Sequence, residues 1–268
     1  MRTTIDKLMR NNIYLFCYGA EGVGKTLLAM TLADAKGRGV AYITADPSGP
    51  TSVRNRGYPG DIPVELLPGE GEDPFGIAVS AINTFARDPS IHCICVDGLS
   101  VICGRAVDFL SGGEGEKALG FDGWGQVLKG FRDIEGACDG ATRKGKSIIL
   151  TAWEIEPEYR DLPKALGGGR TMEKEGHPYL QGKAQIWMPG NCDIVARMTS
   201  RFVTVKGNDG KAARRFQGSL HVNREGAAQD WKVKSRWSLP SPCPADLRWI
   251  LDKVKNQSAG MPLKAVKL

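Results

Sequence analysis

Gly19-Ala20-Glu21-Gly22-Val23-Gly24-Lys25-Thr26 lies between two apolar segments of different period. Before it runs Ile13-Tyr14-Leu15-Phe16-Cys17-Tyr18, which reads as a buried strand. After it comes Leu27-Leu28-Ala29-Met30-Thr31-Leu32-Ala33, whose spacing predicts a helix. The pattern G-x-x-x-x-G-K-T between strand and helix is that of a phosphate-binding loop. Its glycines let successive N–H groups turn toward phosphate oxygens, and the dipole of the following helix adds to the attraction. On that pattern Gly19, Gly22, Val23, Gly24, Lys25, Thr26 and Leu27 form a nucleotide cradle. Lys25 is expected to reach the β- and γ-phosphates and the Thr26 hydroxyl to ligate Mg²⁺.

The neighbouring segments extend this unit. Val40-Ala41-Tyr42-Ile43-Thr44-Ala45 reads as a second buried strand, followed by Asp46 and a loop rich in Pro and Gly. Val64-Glu65-Leu66-Leu67 reads as a short edge strand, and residues 74–87 carry apolar side chains at helical spacing. Ile91-His92-Cys93-Ile94-Cys95-Val96-Asp97 is a third core strand ending in a carboxylate. At the carboxyl end of a parallel strand next to the loop's own strand, Asp97 can hold Mg²⁺ or its water shell together with Thr26.

Residues 99–110 and 124–138 read as helices around a glycine-rich, acidic loop, and 146–152 as a fourth core strand. Residues 153–189 read as one long, polar, glycine-rich loop, a length that marks functional or disordered segments. Residues 193–198, 202–205 and 216–222 read as terminal strands, the last two joined across Gly207-Asn208-Asp209-Gly210, a hairpin signal. A short helix (245–255) and a lysine-bearing, disordered tail end the chain.

Strands alternating with helices predict an α/β fold, a mostly parallel sheet with helices on both faces and a C-terminal β-hairpin. The organisation expected is an arm over 1–12, a core over 13–240, and a helix and basic tail over 241–268.

Bulk properties restrict the choice less. The 268 residues fit one large domain, and the net charge of +6 permits an acidic partner without demanding one. No apolar run has transmembrane length and the first residues lack a signal-peptide core, so a cytoplasmic protein without membrane partners is expected. Seven cysteines form no C-x-x-C pair and read as reduced core residues. In His92-Cys93-Ile94-Cys95 the histidine and the cysteines fall on opposite faces of a strand, which argues against a metal site.

With these residues placed, the chain resembles the RecA-type ATPases, most of all the phage-encoded RecA-like proteins of recombination and single-strand annealing. The likeness spans roughly 10–245. It rests on the loop, on Tyr42-Ile43-Thr44-Ala45-Asp46, on Asp97 followed by Gly98, and on Lys234-Ser235-Arg236-Trp237. Glycine after Asp97 also argues against AAA+ and packaging motors, which place a glutamate there.

The resemblance implies ATP and Mg²⁺, with Asp46 where the family keeps a water-activating glutamate. It implies that Lys234 and Arg236 reach the γ-phosphate of a neighbouring subunit in a filament or ring. It places single-stranded DNA on the loops after the third and fourth core strands. There Arg160, Lys164, Arg170, Lys174 and Lys183 stand with Trp153, Tyr159 and Tyr179, but also with six acids. Host-cell cytoplasm and a single-strand-binding protein as a further partner follow from the same likeness.

Plainer readings stand beside these. Lys232, Lys234 and Arg236 also fit a solvated strand face alternating with core Val233, and 154–185 also fits a mixed-charge solvated loop. A nucleotide-gated assembly subunit with little hydrolysis is the main alternative function. A nucleoside or nucleotide kinase is a further one, disfavoured by the lack of a D-R pair after the second strand.

Overall fold

The computed structural model describes residues 12–34, 38–58, 61–69, 71–161, 170–206 and 212–258. In chain order the elements are β1 (Tyr14–Tyr18), α1 (Lys25–Met30), β2 (Val40–Thr44), α2 (Ser48–Asn55), β3 (Val64–Leu66), α3 (Pro74–Arg87), β4 (Cys93–Asp97) and α4 (Leu99–Ser111). There follow α5 (Phe121–Arg143), β5 (Ser147–Ala152), β6 (Glu154–Ile155), β7 (Glu158–Asp161), β8 (Arg170–Lys174), β9 (His177–Pro178) and α6 (Ala184–Asn191). The chain then forms β10 (Ile194–Lys206), β11 (Ala212–His221), β12 (Lys234–Ser235), β13 (Cys243–Pro244) and α7 (Leu247–Ser258).

Every residue of β1, β2, β4 and β5 is buried, so these strands are apolar throughout rather than alternating. That is what a parallel strand covered on both faces requires. One face packs Phe16, Ile43, Val96 and Leu150 against α3, α4, α5 and α6 through Phe75, Ile82, Ile102, Phe131 and Met188. The other packs Leu15, Tyr42, Cys95 and Ile149 against α1, α2 and α7 through Leu28, Met30, Val53, Leu247 and Ile250. At about 25 cal/mol per Å² of apolar surface, these two layers supply most of the drive to fold. All seven cysteines are buried free thiols, as expected.

The sheet runs β13-β11-β10-β1-β5-β4-β2-β3, with β12 also on β10. From β10 to β3 all neighbours are parallel, while β11, β12 and β13 join antiparallel. This is the α/β class anticipated, a mostly parallel sheet with helices on both faces and an antiparallel C-terminal pair.

One expectation about the sheet fails. β1 and β4 are not neighbours: β5 lies between them, pairing Cys17 with Thr151 on one side and Val96 with Leu150 on the other. Nothing local in the sequence encodes that order, which is set by how α5 returns the chain across the sheet.

The expected loop after Asp46 contains α2. Where two strands were expected over 193–198 and 202–205, residues 194–206 form one 13-residue strand. The long loop over 153–189 holds a β6–β9 pair, a β7–β8 hairpin and α6. Asn12, assigned to the arm, is buried and donates from Nδ2 to the carbonyls of Thr142 (2.8 Å) and Lys146 (2.6 Å). The rest of the arm, the Gly207–Gly210 turn and the tail beyond Ser258 lie outside the described residues.

Candidate nucleotide site

The loop after β1 is shaped by backbone demands that only glycine meets. Gly22 and Gly24 have φ of 73° and 99°, the left-handed region. Gly19 has a different reason: a Cβ there would stand 2.5 Å from the Met198 carbonyl oxygen of β10, so the loop starts pressed against that strand. Gly24 then accepts from the N–H groups of Leu27 and Leu28, which starts α1 at Lys25. Tyr42 of β2 donates its hydroxyl to the Thr26 carbonyl at 2.7 Å and fixes that first turn over the sheet.

At the carboxyl ends of the central strands three side chains meet. Thr26 Oγ1 donates to Asp97 Oδ2 at 2.7 Å, and Thr151 Oγ1 donates to Asp97 Oδ1 at 2.6 Å. Thr151 in turn accepts from the Gly98 N–H at 2.7 Å. The insertion of β5 explains this contact, since it brings Thr151 rather than the loop's own strand alongside Asp97. Burial raises the Asp97 pKa above the usual carboxylate range, opposed by the two threonine hydrogen bonds and by Lys25. Burial likewise lowers the Lys25 pKa. The Lys25 amine donates to the carbonyls of Gly19 (2.7 Å) and Ala20 (2.8 Å) inside the loop. A cleft of about 330 Å³ opens over Lys25, Thr26, Asp97 and Thr151, and Trp153 forms part of its wall.

Asp46 also lines this cleft, but its carboxylate is engaged. Oδ1 accepts from the Ser48 N–H and Oδ2 from the Ser48 hydroxyl, both at 2.8 Å, at the start of α2. That interaction holds α2 over the site: a Cβ on Gly49 would sit 3.1 Å from Asp97 Oδ2 and 3.9 Å from Thr26 Oγ1. Ser48, Gly49, Ser52 and Arg56, all from α2 and its end, line the cleft and escaped the reading of the sequence. A signal was present, since Asp46-Pro47-Ser48 has the acid and proline of a helix start.

The other candidates lie elsewhere. β12 pairs with Ile194 and Val195, and β10 there runs beside Leu15 and Phe16, toward the amino end of β1 away from the loop. Lys234 Nζ donates to the Gly190 carbonyl, and Arg236 pairs with Asp193 at 3.0 Å. Neither residue enters the cleft of its own chain.

On the β7–β8 hairpin Arg160, Arg170 and Lys174 pair with Glu173 (3.8 Å), Asp161 (3.2 Å) and Glu158 (3.2 Å). Lys183 is exposed just before α6, and Lys164 lies outside the described residues. Glu154, leaving β5, is largely buried against Arg197 (2.9 Å), whose guanidinium lies 3.5 Å from the centre of the Trp231 ring.

No family model matches this chain, and no curated protein matches it. Among solved structures it is similar to a KaiC-like protein of the hyperthermophilic archaeon Pyrococcus horikoshii. The TM-score is 0.42 at 12% identity, over 77% of this chain and 85% of that one. A likeness of that size says nothing of ligand or activity. Among the described residues no helix is long and apolar enough to cross a membrane.

Proposed function

We propose that the chain binds ATP with Mg²⁺ at the 19–26 loop and hydrolyses it as a RecA-like P-loop ATPase. One observation carries the reading: the Thr26 hydroxyl and the Asp97 carboxylate meet at 2.7 Å in the cleft that Lys25 also lines. The donor set fits the ion. Mg²⁺ takes hard oxygen ligands and is held by one or two protein oxygens together with waters and substrate phosphates. A hydroxyl and a buried carboxylate in contact supply such oxygens, and the burial that raises the Asp97 pKa leaves its charge poorly solvated, so a cation there would be favoured.

Bound there, Mg²⁺ would neutralise charge on the phosphates, the main requirement of phosphoryl transfer. Lys25 adds a second positive charge and Thr151 keeps Asp97 in place. An adjoining pocket of about 280 Å³ shares Gly24, Leu27 and Arg56 with the cleft. Its walls, Leu28, Tyr58, Met198 and Ala245 among them, are apolar enough for a base.

Asp46 supports a second reading. A carboxylate with both oxygens hydrogen-bonded to Ser48 is poorly free to orient a water, which favours a nucleotide-gated assembly subunit with slow turnover. Single-stranded DNA, a ring or filament in which Lys234 and Arg236 serve a neighbour, and a single-strand-binding protein are supported by the family resemblance. The hairpin lends the DNA role little. Its described strands carry three cations and three acids, a net charge of zero across 158–161 and 170–174.

The test is ATP binding followed by Trp153 fluorescence, with Mg²⁺ or EDTA, then phosphate release with and without single-stranded DNA. Mg²⁺-dependent binding lost in Lys25→Ala is the expected result, and wild-type protein that ignores ATP overturns the proposal. DNA-stimulated release supports the recombination role, and binding without turnover leaves the gated subunit.

A further inference from the structure

The cleft over Lys25 and the adjoining apolar pocket meet at one charged side chain. Arg56 lines both, and of the cations among the described residues only it and Lys25 line the cleft. Its placement follows from local structure. The Asp46–Ser48 contacts orient the start of α2, and Ser48, Ser52 and Arg56 follow at i, i+4 and i+8, one face of a helix. All three border the cleft. Gly57, with φ of 86°, turns the chain away directly after Arg56.

The geometry points to Arg56 as a phosphate-binding residue supplied by the same chain, contacting the phosphate nearest the sugar. This rests on the nucleotide reading above. With terminal phosphates at Lys25 and the base in the apolar pocket, the atoms joining them pass the boundary where Arg56 stands. An arginine fork matches two phosphate oxygens at once and keeps its charge at any working pH. Lys234 and Arg236, near the other end of β1, give this cleft no cation of their own chain. Arg56 therefore completes nucleotide binding within one protomer, whether or not a neighbour is needed for turnover. α2 becomes the element that registers a bound nucleotide, because its start lies over Asp97 and its end would hold the phosphate.

Competition against a fluorescent ATP analogue tests this, using ATP, ADP, AMP, adenosine and inorganic triphosphate on wild type, Arg56→Ala, Arg56→Lys and Lys25→Ala. Loss of a charged hydrogen bond corresponds to roughly ten-fold or more in affinity. Arg56→Ala is expected to weaken ATP, ADP and AMP alike by about that factor and to leave adenosine unchanged, with Arg56→Lys recovering part. Lys25→Ala is expected to weaken ATP, ADP and triphosphate while sparing AMP.

If Arg56→Ala binds ATP like wild type while Lys25→Ala does not, the Arg56 assignment falls and the nucleotide site stands. A loss confined to ATP, or one that includes adenosine, also overturns it. The first would place Arg56 on the terminal phosphate, and the second would make it a wall of the pocket. If wild type binds none of the competitors, the nucleotide reading falls first and this one with it.

Discussion

Replacing Gly49 with alanine should leave the fold as stable or more stable and remove the Mg²⁺ dependence of nucleotide binding. Gly49 is the second residue of α2 and its φ is not positive, so alanine can adopt its backbone. A glycine-to-alanine change at a compatible site stabilises by about 0.4–1 kcal/mol, chiefly by narrowing the unfolded ensemble. Against this stands the new methyl, 3.1 Å from Asp97 Oδ2 and 3.7 Å from Thr26 Cγ2. The first distance is a few tenths of an ångström tight. Asp97 needs to give by only those few tenths, which small adjustments of its two threonine hydrogen bonds allow, so the offset is a fraction of about 1 kcal/mol, below the usual cost of overpacking. The net effect lies between zero and a rise in Tm of roughly 1–4 °C for a chain of this length.

Ion binding responds in the opposite sense. The methyl carbon would occupy the space over Asp97 Oδ2 and Thr26 Oγ1, the two oxygens that would hold Mg²⁺ or its water shell. The ratio of ATP affinity with Mg²⁺ to that in EDTA should therefore fall to about one, while protein without nucleotide melts no lower than wild type. Differential scanning fluorimetry and a titration under both conditions measure the two quantities. A Gly49→Ala protein with wild-type Mg²⁺ dependence would refute the reasoning, because it would mean the ion sits elsewhere.

Three further perturbations probe the frame around the site. Asp97→Asn should stabilise the protein at pH 7.5 in the absence of divalent ions. Burial raises the folded pKa of Asp97, so its contribution is present at low pH and lost as pH rises through that pKa; the amide escapes the loss. Urea midpoints at pH 5 and pH 7.5 should diverge less in the variant, and a variant less stable than wild type at pH 7.5 contradicts the assignment. Gly39→Ala should cost about 3 kcal/mol, since φ is 92° and the new Cβ would fall inside the His92 ring; a urea-measured loss below about 1 kcal/mol would exclude this packing. Arg197→Ala should cost about 3–5 kcal/mol by leaving Glu154 buried without its partner, and Arg197→Met with Glu154→Gln should recover much of it. Equal losses in the single and double variants, again by urea unfolding, would show the pair to be uncoupled.

What could be read from the sequence was whatever is encoded by neighbours along the chain. Lys25 and Thr26 follow from the glycine spacing, and Asp97 from an apolar run that ends in an acid. The apolar runs gave β1, β2, β4 and β5 because a strand buried on both faces has no polar position to disguise it. α2 was missed because Val53 is its one buried residue, so the apolar periodicity that betrays α3 is missing. Between 153 and 189 the strands β6 and β9 have two residues each, too short to leave a pattern, and exist because they pair with each other. β10 looked like two strands because polar Thr199, Ser200 and Arg201 interrupt it. The antiparallel partner β11, opposite them through Ser219, Gly218 and Gln217, carries the strand through.

The position of β5 changes how the site has to be understood. Were β1 and β4 adjacent, the loop and Asp97 would leave neighbouring strands and no third strand end would stand between them. With β5 between them, the Asp97 carboxylate is braced from both sides, by Thr26 from α1 and Thr151 from β5. Removing Thr26 alone still leaves Asp97 held. The same insertion sends the chain leaving β5 across the mouth of the cleft, where the Trp153 backbone N–H donates to Ser100 Oγ of α4 and its ring stacks near Tyr179. The phosphate end of the cleft is thus built from four separate parts of the chain. The loop brings Lys25 and Thr26, β4 brings Asp97, β5 brings Thr151 and Trp153, and α2 brings Gly49. The loop and the ends of β4 and β5 could be found by looking along the sequence; that Thr151 braces Asp97 depends on which strand the fold puts in the middle, and Gly49 on where Asp46 aims the helix that follows it.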